Sequence, residues 1–194
     1  EPSKLCRYTT WEAKSEDVLA NGLRYGRGMN FGLVQLLNEG KFENYEAFFL
    51  LTNDSEFKAT PTISPLMEIM DDHPRVGILS PCSERWGERF LLTDEPTRYF
   101  WFIHNNAYLM RRGFIESICD LSQPDIMDFL FDGTNFRGYG SELELIAKAY
   151  ANDWAAAITR RVWSSENESH LLGCADQIRT EGYEDNLELY IAEG

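Results

Sequence analysis

Two acidic residues stand where chemistry is most readily done. Asp54 follows the run Ala47-Phe48-Phe49-Leu50-Leu51-Thr52-Asn53, and Glu142 lies in Ser141-Glu142-Leu143-Glu144-Leu145. A carboxylate leaving a buried strand must find water, a hydrogen-bond donor or a cation. A carboxylate in the first turn of a helix can take a proton from a bound hydroxyl, although it also suits the helix dipole. Both positions have strong structural alternatives. Asn, Asp and Ser favour turns, and Ser141-x-x-Glu144 is a capping-box pattern. Residues two apart lie about 200° apart around a helix axis. Glu144 is therefore expected to complete the cap and Glu142 to face a pocket.

Hydrophobic patterning supplies the elements that must hold these residues. Residues 46–52, 76–80 and 99–104 read as strands of one sheet, the first buried on both faces. A glycine-rich turn over Tyr25–Gly32 leads into an apolar-periodic helix ending near Gly40. A short helix with Pro65 in its first turn covers 65–70, and another spans about Ala107–Ile118. An aromatic, glycine-punctuated loop follows from Phe129 to Gly140, then a helix from Ser141 to about Trp154 and a last strand over 155–162. Helices alternating with apolar strands indicate an α/β fold. The expectation is one domain over residues 1–194, with a polar N-terminal segment (1–21) and a C-terminal helical segment (171–194).

Composition narrows the function classes. The 194 residues carry a net charge of −14, with 43% hydrophobic and 13% aromatic content. This excludes a disordered chain and disfavours nucleic acid as a partner. Cys6, Cys82, Cys119 and Cys174 form no CxxC pair, so free thiols in a reducing, cytoplasmic setting are expected. No apolar stretch reaches the length of a transmembrane helix. The chain starts at Glu1 rather than Met, which leaves an N-terminally truncated domain as one reading.

Taken in order, the glycine-rich turn with Asn30, the strand ending in Asn53-Asp54, the Val76-Gly77-Ile78 strand ending in Ser80-Pro81, the Arg111-Arg112 pair, the aromatic loop and the Ser141–Leu145 helix start resemble the family 2 inverting glycosyltransferases. These have the GT-A fold, a Rossmann-like domain with a mostly parallel central sheet flanked by helices. The resemblance covers about residues 22–168. It implies a nucleotide-diphosphate sugar donor, a glycan or other hydroxyl acceptor, transfer with inversion as in polysaccharide biosynthesis, and a divalent metal, Mn²⁺ or Mg²⁺. It implies donor binding along Tyr25, Gly26, Arg27, Gly28, Asn30 and Asn53, and metal binding by Asp54 with His170. Glu142 falls at the catalytic base, with Trp101, Asn106 and Asp132 near the acceptor. The chain departs from the family at Arg24, where Gly is usual, and at Thr52 and Ser141, where acidic or amide residues are usual. It also lacks a recognisable base-binding strand before residue 22.

The residues read alone keep other uses open. Trp101, Trp163 and Tyr139 could stack on a ring or pack in a core. Asn105, Asn106, Asn135 and Asp132 could bind hydroxyls or form turns. His104 and His73 read as structural residues. A glycosyltransferase is the leading expectation. The alternatives are a degenerate relative that binds glycan or nucleotide without turnover and a glycoside hydrolase, which needs two carboxylates and no nucleotide.

Overall fold

The computed structural model describes residues 23–52, 54–58, 61–84, 87–90, 94–101, 106–135, 138 and 140–167. The expected segments 1–21 and 171–194 lie outside them, as do Asn53, His104, Asn105, Tyr139 and His170.

Six strands form one sheet. They are β1 (Ala47–Leu51), β2 (Ser55–Phe57), β3 (Val76–Ser83), β4 (Thr97–Tyr99), β5 (Ala107–Arg111) and β6 (Ala155–Glu166), in the order β1-β5-β3-β6-β2 with β4 also paired to β6. The fold is therefore mixed α/β. Of the five pairings, only β3 with β6 is parallel, so the expectation of a mostly parallel sheet does not hold. The cause is β5. The apolar segment Ala107–Met110, expected to begin a helix, is fully buried and slots antiparallel between β1 and β3. Its helix starts only at Arg112. β1 in turn ends the strand order, with only Phe48 fully buried rather than both faces covered.

Among the described residues four α-helices cover the two faces: α1 (Arg24–Asn38), α2 (Ile63–Asp72), α3 (Arg112–Ile118) and α4 (Ser141–Ala151). Leu33 and Val34 of α1, Phe114 and Ile115 of α3, and Leu145, Ile146 and Ala149 of α4 pack with Phe48, Ile78, Tyr108, Met110 and Ile158 on one side. Leu66, Ile69 and Met70 of α2 pack with Val76, Leu79, Leu109 and Val162 on the other. Each helix presents an apolar stripe at helical spacing to one face, as an amphipathic surface helix must.

The expected glycine-rich turn is helical: α1 begins at Arg24 and takes in Gly26, Gly28 and Gly32. Glycine lowers helix propensity by about 1 kcal/mol relative to alanine, so packing must favour the helix here. At Gly26 a Cβ would sit 3.3 Å from the Phe131 Cβ and 3.4 Å from the Asp132 carbonyl oxygen. Glycine thus lets α1 lie directly on the loop before α4. At its other end, Gly40 adopts φ +63°, and its N–H donates to Leu37 O while Lys41 N–H donates to Leu36 O. That is the glycine-terminated end expected near Gly40.

Candidate active site

Chain direction decides which residues meet. α1 ends just before β1 begins, and α4 ends just before β6 begins, so both helices run back across the sheet. Their first turns therefore lie at the edge where β1 and β3 end. Tyr25 in the first turn of α1 and Glu142 in the first turn of α4 lie near each other there: burial, and after it the Glu142 charge, push the phenol's pKa well up. Asp54 leaves the same edge after β1. Asn106 arrives at it just before β5, because Leu51 pairs with Ala107.

Glu142 is a half-satisfied charged group of the site, with one of its oxygens buried. One of its oxygens accepts its own backbone N–H, and burial outweighs that bond to push the carboxyl above its ordinary range. The other oxygen, Oε2, is buried with no hydrogen-bond partner among the described residues. Glu144 has different surroundings, forming an ion pair with Lys148 one turn on. The two side chains thus face apart as their spacing requires. The expected capping box does not form. The N-cap is Gly140, in a left-handed conformation at φ +78°, and Ser141 is the first helical residue. Its hydroxyl donates to Gly138 O at 2.6 Å.

Asn106 is the second orphan. The residue is 2% exposed, its Nδ2 donates to Ser164 Oγ at 3.4 Å, and its Oδ1 has no partner among the described residues. Around it lies a hydroxyl cluster. Ser55 Oγ donates to Asn106 O at 2.7 Å, and Thr52 Oγ1 lies 2.9 Å from Ser55 Oγ. Ser55 was expected only as a turn former, yet Ser55–Phe57 is a strand paired with the end of β6. Asn167 N–H donates to the Asp54 carbonyl at 2.7 Å. The Asp54 carboxylate has no hydrogen bond or ion pair among the described residues.

Other expected site residues are committed to the fold. Asn30 uses its whole amide on the loop before α4. Its Nδ2 donates to Ile126 O (2.9 Å) and Phe131 O (2.7 Å), and its Oδ1 accepts Leu130 and Phe131 N–H. Arg27 Nε donates to Gly133 O at 2.7 Å. Gly28 lies in α1 near Leu23. Asp132 Oδ1 accepts both the N–H and the hydroxyl of Thr134, the turn reading of that residue. Asn135 likewise accepts Gly138 N–H. Trp101 is not brought to this edge. Phe100 N–H donates to Ala156 O near the start of β6, so Trp101 lies at the opposite edge, 74% exposed.

Among the described residues no three His, Cys, Asp or Glu side chains come together as a metal site. Asp54 could still hold an ion in the manner of Mg²⁺, which commonly takes one or two carboxylates and completes its shell from substrate phosphates and water. Among the described residues no helix is long and apolar enough to cross a membrane. Comparison with protein-family models, curated proteins and solved structures returned no match.

Proposed function

We propose that this edge binds a hydroxyl-bearing ligand and uses Glu142 as general base on it. The observation that carries the reading is the pair of buried, unpartnered oxygens, Glu142 Oε2 and Asn106 Oδ1. A buried acceptor left unpaired costs about 1–3 kcal/mol, more when charged, and both atoms need donors. Hydroxyls supply donors. A phosphate supplies acceptors and would meet the Glu142 charge. A carboxyl raised by burial is also a stronger base than a solvated one, and so better matched to a hydroxyl proton.

Within that class, the particular reaction we infer is inverting transfer of a sugar from a nucleotide diphosphate to a hydroxyl acceptor. The arrangement suits it: a base at the start of α4, a second acceptor at Asn106 to orient the hydroxyl, and Asp54 on a separate turn at the same edge. Asp54 would hold the divalent ion, which when bound supplies charge neutralisation for the leaving diphosphate. Glu142 would take the acceptor's proton as the hydroxyl attacks.

Transfer is tested by measuring nucleoside diphosphate release from a panel of nucleotide sugars with hydroxyl acceptors, with and without Mn²⁺. Glu142→Gln should lower the rate by about 10²–10⁴ and leave nucleotide affinity unchanged. Full activity in that variant would remove Glu142 from the reaction. A second reading, a relative that binds without turnover, is favoured by Gly26, Arg27 and Asn30, which hold a loop rather than line a groove. Nucleotide or glycan binding in calorimetry with no product for any donor would select it.

A further inference from the structure

A cleft of about 570 Å³ lies away from this edge, between the end of α2 and β4. It is within the range of small-molecule sites, and none of its residues belongs to the site described above. His73, which caps α2, has its Nδ1 2.8 Å from the Tyr99 hydroxyl. The two rings meet edge to face with centroids 5.6 Å apart, which fixes the Tyr99 ring while leaving that residue 55% exposed. Around the ring stand Arg98, Arg161, Asp72 and Glu95.

Charge balance selects the ligand class. Two guanidiniums face two carboxylates, and Arg161 is already bonded to Glu68 at 2.7 Å. An oxyanion would meet Asp72 and Glu95 and find no surplus positive charge. A neutral polyhydroxyl compound meets no such penalty, since carboxylates accept its hydroxyl protons and guanidiniums donate to its oxygens. A fixed, half-exposed aromatic ring offers an apolar platform for the C–H face of a pyranose, and a tyrosine does so without ordering a long side chain. We infer that this cleft is a saccharide-binding subsite, separate from the Glu142 edge and independent of whether that edge transfers sugar.

The test is calorimetric titration of the full chain with maltohexaose, xylohexaose and chitohexaose, in wild type, Tyr99→Ala, Arg98→Ala and Glu142→Gln. At least one oligosaccharide should bind with a dissociation constant of about 0.1–1 mM. Tyr99→Ala should weaken that binding about tenfold, as expected for loss of an aromatic contact. Arg98→Ala should weaken it as well, and Glu142→Gln should leave it unchanged. Tyr99→Phe keeps the platform and should retain most of the affinity, with unchanged melting temperatures showing that the variants fold. Three results would each overturn the inference. They are no binding by any of the three sugars, binding indifferent to both Tyr99→Ala and Arg98→Ala, and binding of inorganic phosphate at this cleft in place of sugar.

Discussion

If Glu142 is held for chemistry, its removal should stabilise the protein, and the gain should depend on pH. One Glu142 oxygen is buried without a partner, and burial raises the carboxyl above its ordinary range. In the unfolded chain a glutamate titrates near 4.3, as in about any solvated peptide. Between that value and its raised folded value, the folded state holds more protons than the unfolded state. Stability therefore falls as pH rises through this window, and the loss is complete above the folded value. Glu142→Gln has no charge to desolvate and escapes the loss. A partnerless buried polar group costs about 1–3 kcal/mol, and in a chain of 194 residues each kcal/mol moves Tm by about 2–4 °C, so the variant should melt about 2–12 °C higher at neutral pH. Below about pH 4, where the wild-type carboxyl is protonated in both states, the gap should close. Differential scanning calorimetry of both proteins from acid to neutral pH measures it. A variant that melts at or below the wild-type temperature at pH 7, or a gap that does not change with pH, would refute the reasoning.

Asn30→Ala should unravel the loop before α4. Two N–H and two C=O groups lose their partner, so destabilisation of a few kcal/mol, on the order of 3–5, is expected in urea melts. Asp54→Asn should abolish any rise in melting temperature that Mn²⁺ or Mg²⁺ gives in the presence of nucleoside diphosphate, while the apo protein melts as before. An unchanged increment would take Asp54 out of the metal site. Glu144→Gln removes the charge from its i,i+4 pair with Lys148, so its stability should shift by less than about 1 kcal/mol and its transfer rate should stay near wild type. Gly133→Ala should be poorly tolerated, because the added Cβ would lie 2.7 Å from Met127 Cα, and limited proteolysis within 126–135 should become faster.

The sequence patterning located β1, β3, β6, α2 and α4 to within a few residues, because each carries a long apolar signal of one period. It missed β5. Ala107-Tyr108-Leu109-Met110 is a short apolar run that periodicity cannot assign to strand or helix, and only the place between β1 and β3 makes it a strand. It also missed β2, where Ser55 reads as a turn residue until β6 offers a ladder. The helical start of α1 was hidden by its glycines, whose use is close approach to the Phe131 loop rather than a turn. At the candidate site, the separation of Glu142 from Glu144 followed from helix geometry alone. The capping box did not form because Gly140 takes the N-cap, and a left-handed glycine there competes with Ser141 for the same role. No sequence signal distinguished Asn106, whose amide is left half-satisfied, from Asn30 and Asn135, whose amides are spent on loops. For Asn106 and Asn30 that difference depends on partners 58 to 101 residues away.

Those long separations bear on how the protein is built as well as on what it holds. The bonds from Asn30 and Arg27 tie the start of α1 to residues 96 to 106 positions later. Joining ends about 100 residues apart carries a length-dependent entropy term of about 4 kcal/mol before any single contact repays it. Contacts of such high order form slowly and late unless a collapsed core brings them together first. The loop that leads into Glu142 therefore closes late, as does the ladder of β2 with β6, which joins Ser55 to Glu166. On a ribosome, β1, β3 and β5 can pair while that loop is still unmade. Glu142 itself is buried only once β6, which follows it in the chain, completes the core on which α4 packs.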